Sequence, residues 1–255
     1  LCLCRRRPMS QTGRPGLPRL DEAIRLSDWL AGPRGRLLRR VHVALRRRVL
    51  EIGCGHGNVA AELRRRSDPA RGFVVGLDRD VGPATAAGLF TGPLVQAEAT
   101  ALPFSRRCFD LVLCQNTLLW VANLEAALAE AARVLAPGGV LVAIEPDYGG
   151  MIEFPPEISL RDLWLEGLLA AGADPHVGRK LPGAAERAGL DVRVELQNIP
   201  CAANSDGARL LMGLPLDPQS RRRVSSVADQ LDRTQGDWQA FVHVPYVLLE
   251  ARKPS

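Results

Sequence analysis

Lysine is nearly absent from this chain: only Lys180 and Lys253 stand among its 33 basic residues. With the abundant alanine, that bias points to a GC-rich coding sequence rather than to a function. Aromatic residues are scarce too, at 5%, and they form no basic-aromatic stretch of the kind that stacks single-stranded nucleic acid. No apolar run approaches the roughly 20 residues that cross a bilayer, so no membrane span is expected. The six cysteines, Cys2, Cys4, Cys54, Cys108, Cys114 and Cys201, include no C-x-x-C pair and no Cys/His spacing of a metal site or disulfide framework. The expectation is no metal, reduced thiols and a cytoplasmic location. The sequence also shows no internal repeat, and Leu1 to Pro18 lacks the apolar core of a secretory signal.

The charge is present but unevenly placed. The net +5 conceals an N-terminal segment, residues 1–48, at +10, followed by 207 residues summing to −5. A basic arm can meet nucleic acid or an anionic surface. A solvated helix face behind a disordered tail explains the same charges without a partner. Length, hydrophobic content of 46% and charged content of 24% fit a globular α/β protein with a substantial core.

The stretch Val49-Leu50-Glu51-Ile52-Gly53-Cys54-Gly55-His56-Gly57 organises the rest. An apolar strand feeds alternating glycines, and Asn58 to Leu63 then reads as a helix start. Glycine permits positive φ and close backbone approach, and the free N–H groups of a helix start favour electron-rich ligand atoms. The spacing is G-x-G-x-G, where a dinucleotide-binding turn has G-x-G-x-x-G, which disfavours a nicotinamide-dependent dehydrogenase. A second apolar strand, Phe73 to Asp78, ends in an acid about 20 residues further on. A carboxylate there can take both hydroxyls of a ribose, and Asp80 is the better helix cap.

From Arg48 the chain alternates strand and helix, which implies a parallel sheet with covering helices. Strands are predicted at about 48–53, 73–77, 94–97, 110–115 and 139–145, with helices at about 57–66, 83–89 and 123–135. Pro137-Gly138-Gly139 is expected to stop the last helix and turn the chain into the fifth strand. Residues 191–199 and 241–251 read as two further strands. Ahead of them, residues 19–45 are helical in pattern with a break near Gly32-Pro33. Residues 1–18 are expected to be a disordered basic tail.

Four blocks, in order, resemble the class I S-adenosylmethionine (SAM) dependent methyltransferases. VLEIGCGHG resembles the family's E/D-x-G-x-G-x-G turn. Gln96 to Phe104 resembles its G-D-A-x-x-L-P-F stretch, with Glu98 in place of the aspartate. Phe109-Asp110-Leu111-Val112 resembles its fourth strand, and Ala129 to Gly139 matches E-x-x-R-V-L-K-P-G-G. Glu130 and Arg133, at i and i+3, are most simply a structural pair. The likeness is greatest to the small-molecule methyltransferases of ubiquinone and menaquinone biosynthesis, over roughly residues 48–147. It implies a Rossmann-like seven-stranded sheet in the order 3-2-1-4-5-7-6, the last strand antiparallel, with helices on both faces and a small helical lid. It also implies one methyltransferase domain over residues 19–255. Within it would lie a helical cap (19–47), a SAM-binding core (48–145) and two substrate-side insertions (146–180 and 200–240).

The resemblance further implies SAM as cofactor, S-adenosylhomocysteine (SAH) as product, and Glu51, Gly53, Cys54, Gly55, Gly57, Asp78, Arg79, Glu98, Ala99, Gln115 and Asn116 as the cofactor-binding residues. Members often carry a histidine just past the fourth strand, where this chain has Leu119-Trp120, so no role transfers to it. No N/D-P-P-Y/F motif follows that strand, so a small, rather apolar acceptor is expected and nucleic acid is not. Positioning alone can contribute roughly 7–11 kcal/mol to such a transfer. A general base is needed only for a hydroxyl or acidic-carbon acceptor. The candidates are Tyr148 and His176, then Asp147 and His243; His56 reads as a loop-shaping residue. The competing reading is a methyltransferase-fold protein that binds SAM without turnover, for regulation or partner binding.

Overall fold

The computed structural model describes residues 17–68, 72–197, 201–233 and 238–255. The expected disordered tail therefore lies, up to residue 16, outside the described residues.

The strands among the described residues are β1 Arg48–Ile52, β2 Phe73–Asp78, β3 Leu94–Gln96, β4 Phe109–Gln115, β5 Leu135–Pro146, β6 Ile152–Phe154, β7 Asp191–Gln197, β8 Cys201–Ala202, β9 Phe241–His243 and β10 Tyr246–Arg252. The helices are α1 Leu20–Trp29, α2 Ala31–Arg40, α3 Asn58–Arg66, α4 Gly82–Ala87, α5 Leu124–Val134, α6 Arg161–Ala170, α7 Val177–Arg187, α8 Ser205–Leu211 and α9 Pro218–Arg233. Seven strands form one sheet in the order β3-β2-β1-β4-β5-β10-β7. β10 is the seventh of these in chain order and runs antiparallel between β5 and β7. The remaining neighbours along the sheet are parallel.

The core follows from strand alternation. Successive side chains point to opposite faces of a sheet, and both faces here are covered. Leu111 and Leu113 of β4 join Val140, Val142 and Ile144 of β5 on the face shared with Leu37, Leu38 and Leu63 of α2 and α3. Val112 and Cys114 join Leu141 and Ala143 on the opposite face, with Leu128 of α5 and Leu181 of α7.

Four expectations need correction. The N-terminal break falls at Leu30 rather than at Gly32-Pro33. Pro33 sits in the first turn of α2, where backbone N–H groups have no helical partner to lose. β5 begins at Leu135, immediately after α5, because Gly138 N–H donates to Lys253 O (3.0 Å) and Lys253 N–H to Gly139 O (2.9 Å). That pairing draws Pro137-Gly138-Gly139 into the strand. The single strand expected over 241–251 is divided, since Pro245 has no N–H for a ladder. β10 joins the large sheet, whereas β9 sits between β6 and β8 in a three-stranded sheet. The segments expected to be purely helical thus contribute strands as well, β6 and β8, which pair with β9 in the small sheet.

Candidate active site

The glycine turn is held by the strand beside it. Gly53 N–H and Cys54 N–H both donate to Leu77 O, at 2.7 and 3.0 Å. Gly53, Gly55 and Gly57 all have positive φ. At Gly53 the need is steric as well, because a Cβ there would lie 2.1 Å from Thr117 Oγ1. Asp78, buried at the end of β2, ties two loops together. Its Oδ2 accepts from Gly55 N–H (3.0 Å) and its Oδ1 from Asp80 N–H (3.1 Å). Asp80 stands one residue ahead of the expected cap position, since Val81 caps α4 without a side-chain bond; its Oδ1 accepts from Gly82 N–H at 3.0 Å in the turn that enters the helix.

A cavity of about 850 Å³ opens over these strand ends. It is lined by Glu51, Gly53, Cys54, Gly55, Asp78, Arg79, Glu98, Ala99, Gln115 and Asn116. Gly57 is the one proposed cofactor residue outside the lining; it shapes the turn as the residue before α3. Its size is in the range of ligand clefts, about 300–1,000 Å³.

Two carboxyls at this end are buried and incompletely partnered. Glu51 has an Oε2 without a hydrogen bond, and burial pushes its carboxyl up to about 8. Glu145, below the cavity, accepts at Oε1 from the N–H groups of Thr117 and Leu118, both at 3.0 Å. Its Oε2 is orphaned, and burial pushes it up to about 7. Glu145 thereby fixes the turn that carries Asn116, a non-glycine residue at positive φ.

The wall facing the glycine turn comes from the N-terminal helices. Leu17, Pro18, Glu22, Ala23 and Leu26 line the cavity. His56 Nε2 lies 2.9 Å from Pro18 O, and Asn58 Nδ2 donates to Ala23 O at 3.2 Å. His56 is thus a loop-to-cap tie. The anchor of this cap is Arg34, 2% exposed. Its Nε bonds Glu62 Oε2 (2.9 Å), and its Nη1 donates to Ser27 O (3.1 Å) and Gln115 Oε1 (2.9 Å). Sequence reasoning missed Arg34, since nothing distinguishes it from the other N-terminal arginines, and missed Glu145 and Thr117.

The far half is walled by Trp120, Val121, Tyr148, Trp164, Leu168 and Leu210, with Arg209 and Arg221. Tyr148 stacks on Trp164 with ring centroids 4.7 Å apart. Burial, then the nearby Glu145, pushes its hydroxyl pKa upward. The other base candidates do not line the cavity. His176 precedes α7, its ring against Gly149. Asp147 is held by Arg179 through two bonds of 2.7 and 2.9 Å. His243 lies in the small sheet with an orphaned Nδ1, and burial lowers its pKa. Among the described residues no cluster of His, Cys, Asp or Glu could hold a metal ion, and no helix is long and apolar enough to cross a membrane.

Residues 50–143 match the methyltransferase domain family. The chain is 37% identical over 151 residues to a demethylmenaquinone methyltransferase of Thermus thermophilus, covering 54% of this chain and 62% of that protein. It is 28% identical over 256 residues to a trans-aconitate 2-methyltransferase of Methylobacterium radiotolerans, covering 91% and 96%. Against several curated relatives the chain spans less than two thirds of their own length. The YcgJ protein of Bacillus subtilis superposes with a TM-score of 0.63 at 17% identity, over 87% of this chain and 97% of that one, a likeness of fold.

Proposed function

We propose, for a chain that carries a class I SAM-dependent methyltransferase domain, that it transfers a methyl group from SAM to a small, largely apolar molecule. The observation that carries this reading is the orphaned, buried Glu51 carboxyl beside a positive-φ glycine cradle and the Asp78 carboxylate, all lining one cavity. A buried carboxyl oxygen without a partner is costly; a cationic amino group satisfies it and draws the carboxyl into its ionised form. SAM, when bound, supplies a methyl group on a sulfonium sulfur, an excellent leaving group.

The chain's own residues divide the remaining work. Glu51 would hold the cofactor's amino group, and the N–H groups of the glycine turn its carboxylate end. Asp78 would accept from the ribose hydroxyls, which requires sharing or yielding its bonds from Gly55 and Asp80. Arg79 lies at the rim. Glu98 and Ala99, after β3, stand where the adenine edge would lie. Gln115 and Asn116 would face the methionine part. Trp120, Tyr148 and Trp164 exclude water and align the acceptor, and alignment is the main catalytic demand of such a displacement.

Calorimetric titration with SAM and SAH, on wild type and Asp78→Ala, tests the reading. Micromolar binding to wild type that is lost in the variant supports it. Absence of binding to wild type overturns it. Binding without methyl release to any acceptor would leave a SAM-binding protein rather than an enzyme.

A further inference from the structure

The large sheet ends in two edges of different kinds. At one edge β3 is three residues long and follows Pro93. Short strands and proline are among the ways in which proteins keep a sheet edge from pairing. At the other edge β7 is seven residues long and holds neither proline nor glycine. One side of β7 pairs with β10. Among the described residues no strand pairs with its other side, so that side offers backbone N–H and C=O groups to a further strand.

The side chains along this edge are also uncovered. Val192, Val194 and Leu196 share one face, opposite Ala251, Leu249 and Val247 of β10. Those three belong to the core that α7 covers, and Val192 packs against it. Val194 and Leu196 are left 41% and 59% exposed. The opposite face carries Arg193 and Glu195, the arginine largely exposed and the glutamate half-buried. Within the chain, Arg40 of α2 pairs with Glu195, and Arg193 reaches it only at 3.4 Å.

The order Asp-Val-Arg-Val-Glu-Leu-Gln complements its own reverse. Two copies of an edge strand related by a twofold axis normal to the sheet pair antiparallel. Directly opposed side chains share a face, so the axis must pass through a residue. With Val194 on the axis, Arg193 faces the partner's Glu195 and Glu195 faces the partner's Arg193. Val192 then faces the partner's Leu196, and Val194 faces its own copy. An axis through Arg193 would oppose two arginines, and would set Asp191 against the partner's Glu195. An axis through Glu195 would oppose two glutamates. Opposite charges and apolar pairs stabilise a strand pair, whereas like charges directly opposite destabilise it. Of these three registers, the charges favour the one centred on Val194.

We propose that β7 is a self-recognition edge, through which two copies of this chain pair antiparallel about Val194 and join their large sheets into one. Strand addition of this kind takes its affinity from main-chain hydrogen bonds and its specificity from the alternating side chains. The contact is one strand long, which places the dimer in the weak class, with Kd roughly 1–100 μM. The proposal does not depend on what the cavity binds, since β7 contributes no residue to its lining.

Sedimentation velocity of the full chain over about 1–300 μM tests it, and wild type should show a monomer–dimer equilibrium. Arg193→Glu opposes glutamate to glutamate in both charged pairs and should weaken the dimer at least about tenfold. Glu195→Arg opposes arginine to arginine and should do the same. Mixed in equal amounts, the two variants oppose glutamate to arginine in both pairs. Dimers should then return to within about threefold of the wild-type affinity, a rescue that misfolded protein would not give. Because Glu195 also serves Arg40, that variant may fail to fold, and Val194→Cys then decides. Directly opposed residues of an antiparallel pair have Cα atoms about 4.5–5.5 Å apart, within disulfide range. Oxidation should link Val194→Cys into dimers faster than wild type, which keeps the native cysteines, and faster than Val192→Cys. The proposal is overturned by a wild type that stays monomeric throughout, or by a dimer that Arg193→Glu leaves intact. Folded variants that stay apart on mixing, or a Val194→Cys protein that links no faster than Val192→Cys, overturn it as well.

Discussion

At the residue scale, the decisive features are small and mutually dependent. Gly53 has φ +77° and would drive a Cβ to 2.1 Å from Thr117 Oγ1. Gly53→Ala should cost about 1–3 kcal/mol of stability and abolish SAH binding, as measured by urea denaturation and calorimetry. Glu145 is a second case. Its carboxyl is raised from the ordinary 4.5 to about 7 by burial. The folded state then keeps a proton that the unfolded chain releases, so this contribution to stability is full below about pH 4.5 and is lost as pH rises through 7. The loss amounts to about 3 kcal/mol. In Glu145→Gln the side-chain oxygen still accepts from Thr117 and Leu118, but the titrating group is gone. Urea midpoints should fall across pH 4.5–7 in wild type and be flatter in the variant. Parallel pH profiles for the two proteins would count against this assignment.

At the element scale, a buried arginine, Arg34, ties α1 and α2 over the cavity, while Arg40 and the core leucines Leu37 and Leu38 hold the rest of α2 to the sheet. Removing one member of a buried ion pair costs about 3–5 kcal/mol where the other is left unpaired; here Arg66, 2.8 Å from Glu62 Oε1, keeps part of the compensation. Arg34→Met should therefore destabilise strongly, and replacing Glu62 by leucine as well should recover part of the loss. Hydrogen exchange in the Arg34→Met protein should rise first across α1 and the start of α2. There the remaining polar ties among the described residues are the single bond from Asn58 Nδ2 to Ala23 O and the exposed Arg25–Asp206 pair, while Arg40 keeps the end of α2 paired to Glu195 and Glu250. SAH affinity should drop with it, since α1 forms one wall of the cavity. Uniform exchange across all helices would mean that the cap is not a separable unit.

At the scale of the whole molecule, the cavity draws residues from both ends of the chain, from Leu17 to Arg221. Its closure is thus coupled to folding as a whole. A ligand that binds only this arrangement stabilises it by mass action, about 2.7 kcal/mol at a hundredfold excess over Kd. SAH should raise the midpoint of thermal unfolding in a concentration-dependent way, and NAD should leave it unchanged. A shift with NAD and none with SAH would return the glycine turn to a dinucleotide reading.

The strands of the large sheet and the glycine turn beside β2 were legible in the sequence because they depend on local rules, whereas the order of the strands came from the resemblance to a family. Apolar runs of strand length, glycines at fixed spacing and an acid closing β2 each follow from backbone geometry within a few residues. The exceptions were tertiary. Pro137-Gly138-Gly139 enters β5 only because Lys253, more than a hundred residues away, pairs with it. Phe241–Arg252 divides at Pro245, and its first three residues pair with β6 and β8 instead of joining the large sheet. Arg34 became an anchor only when Glu62, Ser27 and Gln115 closed around it.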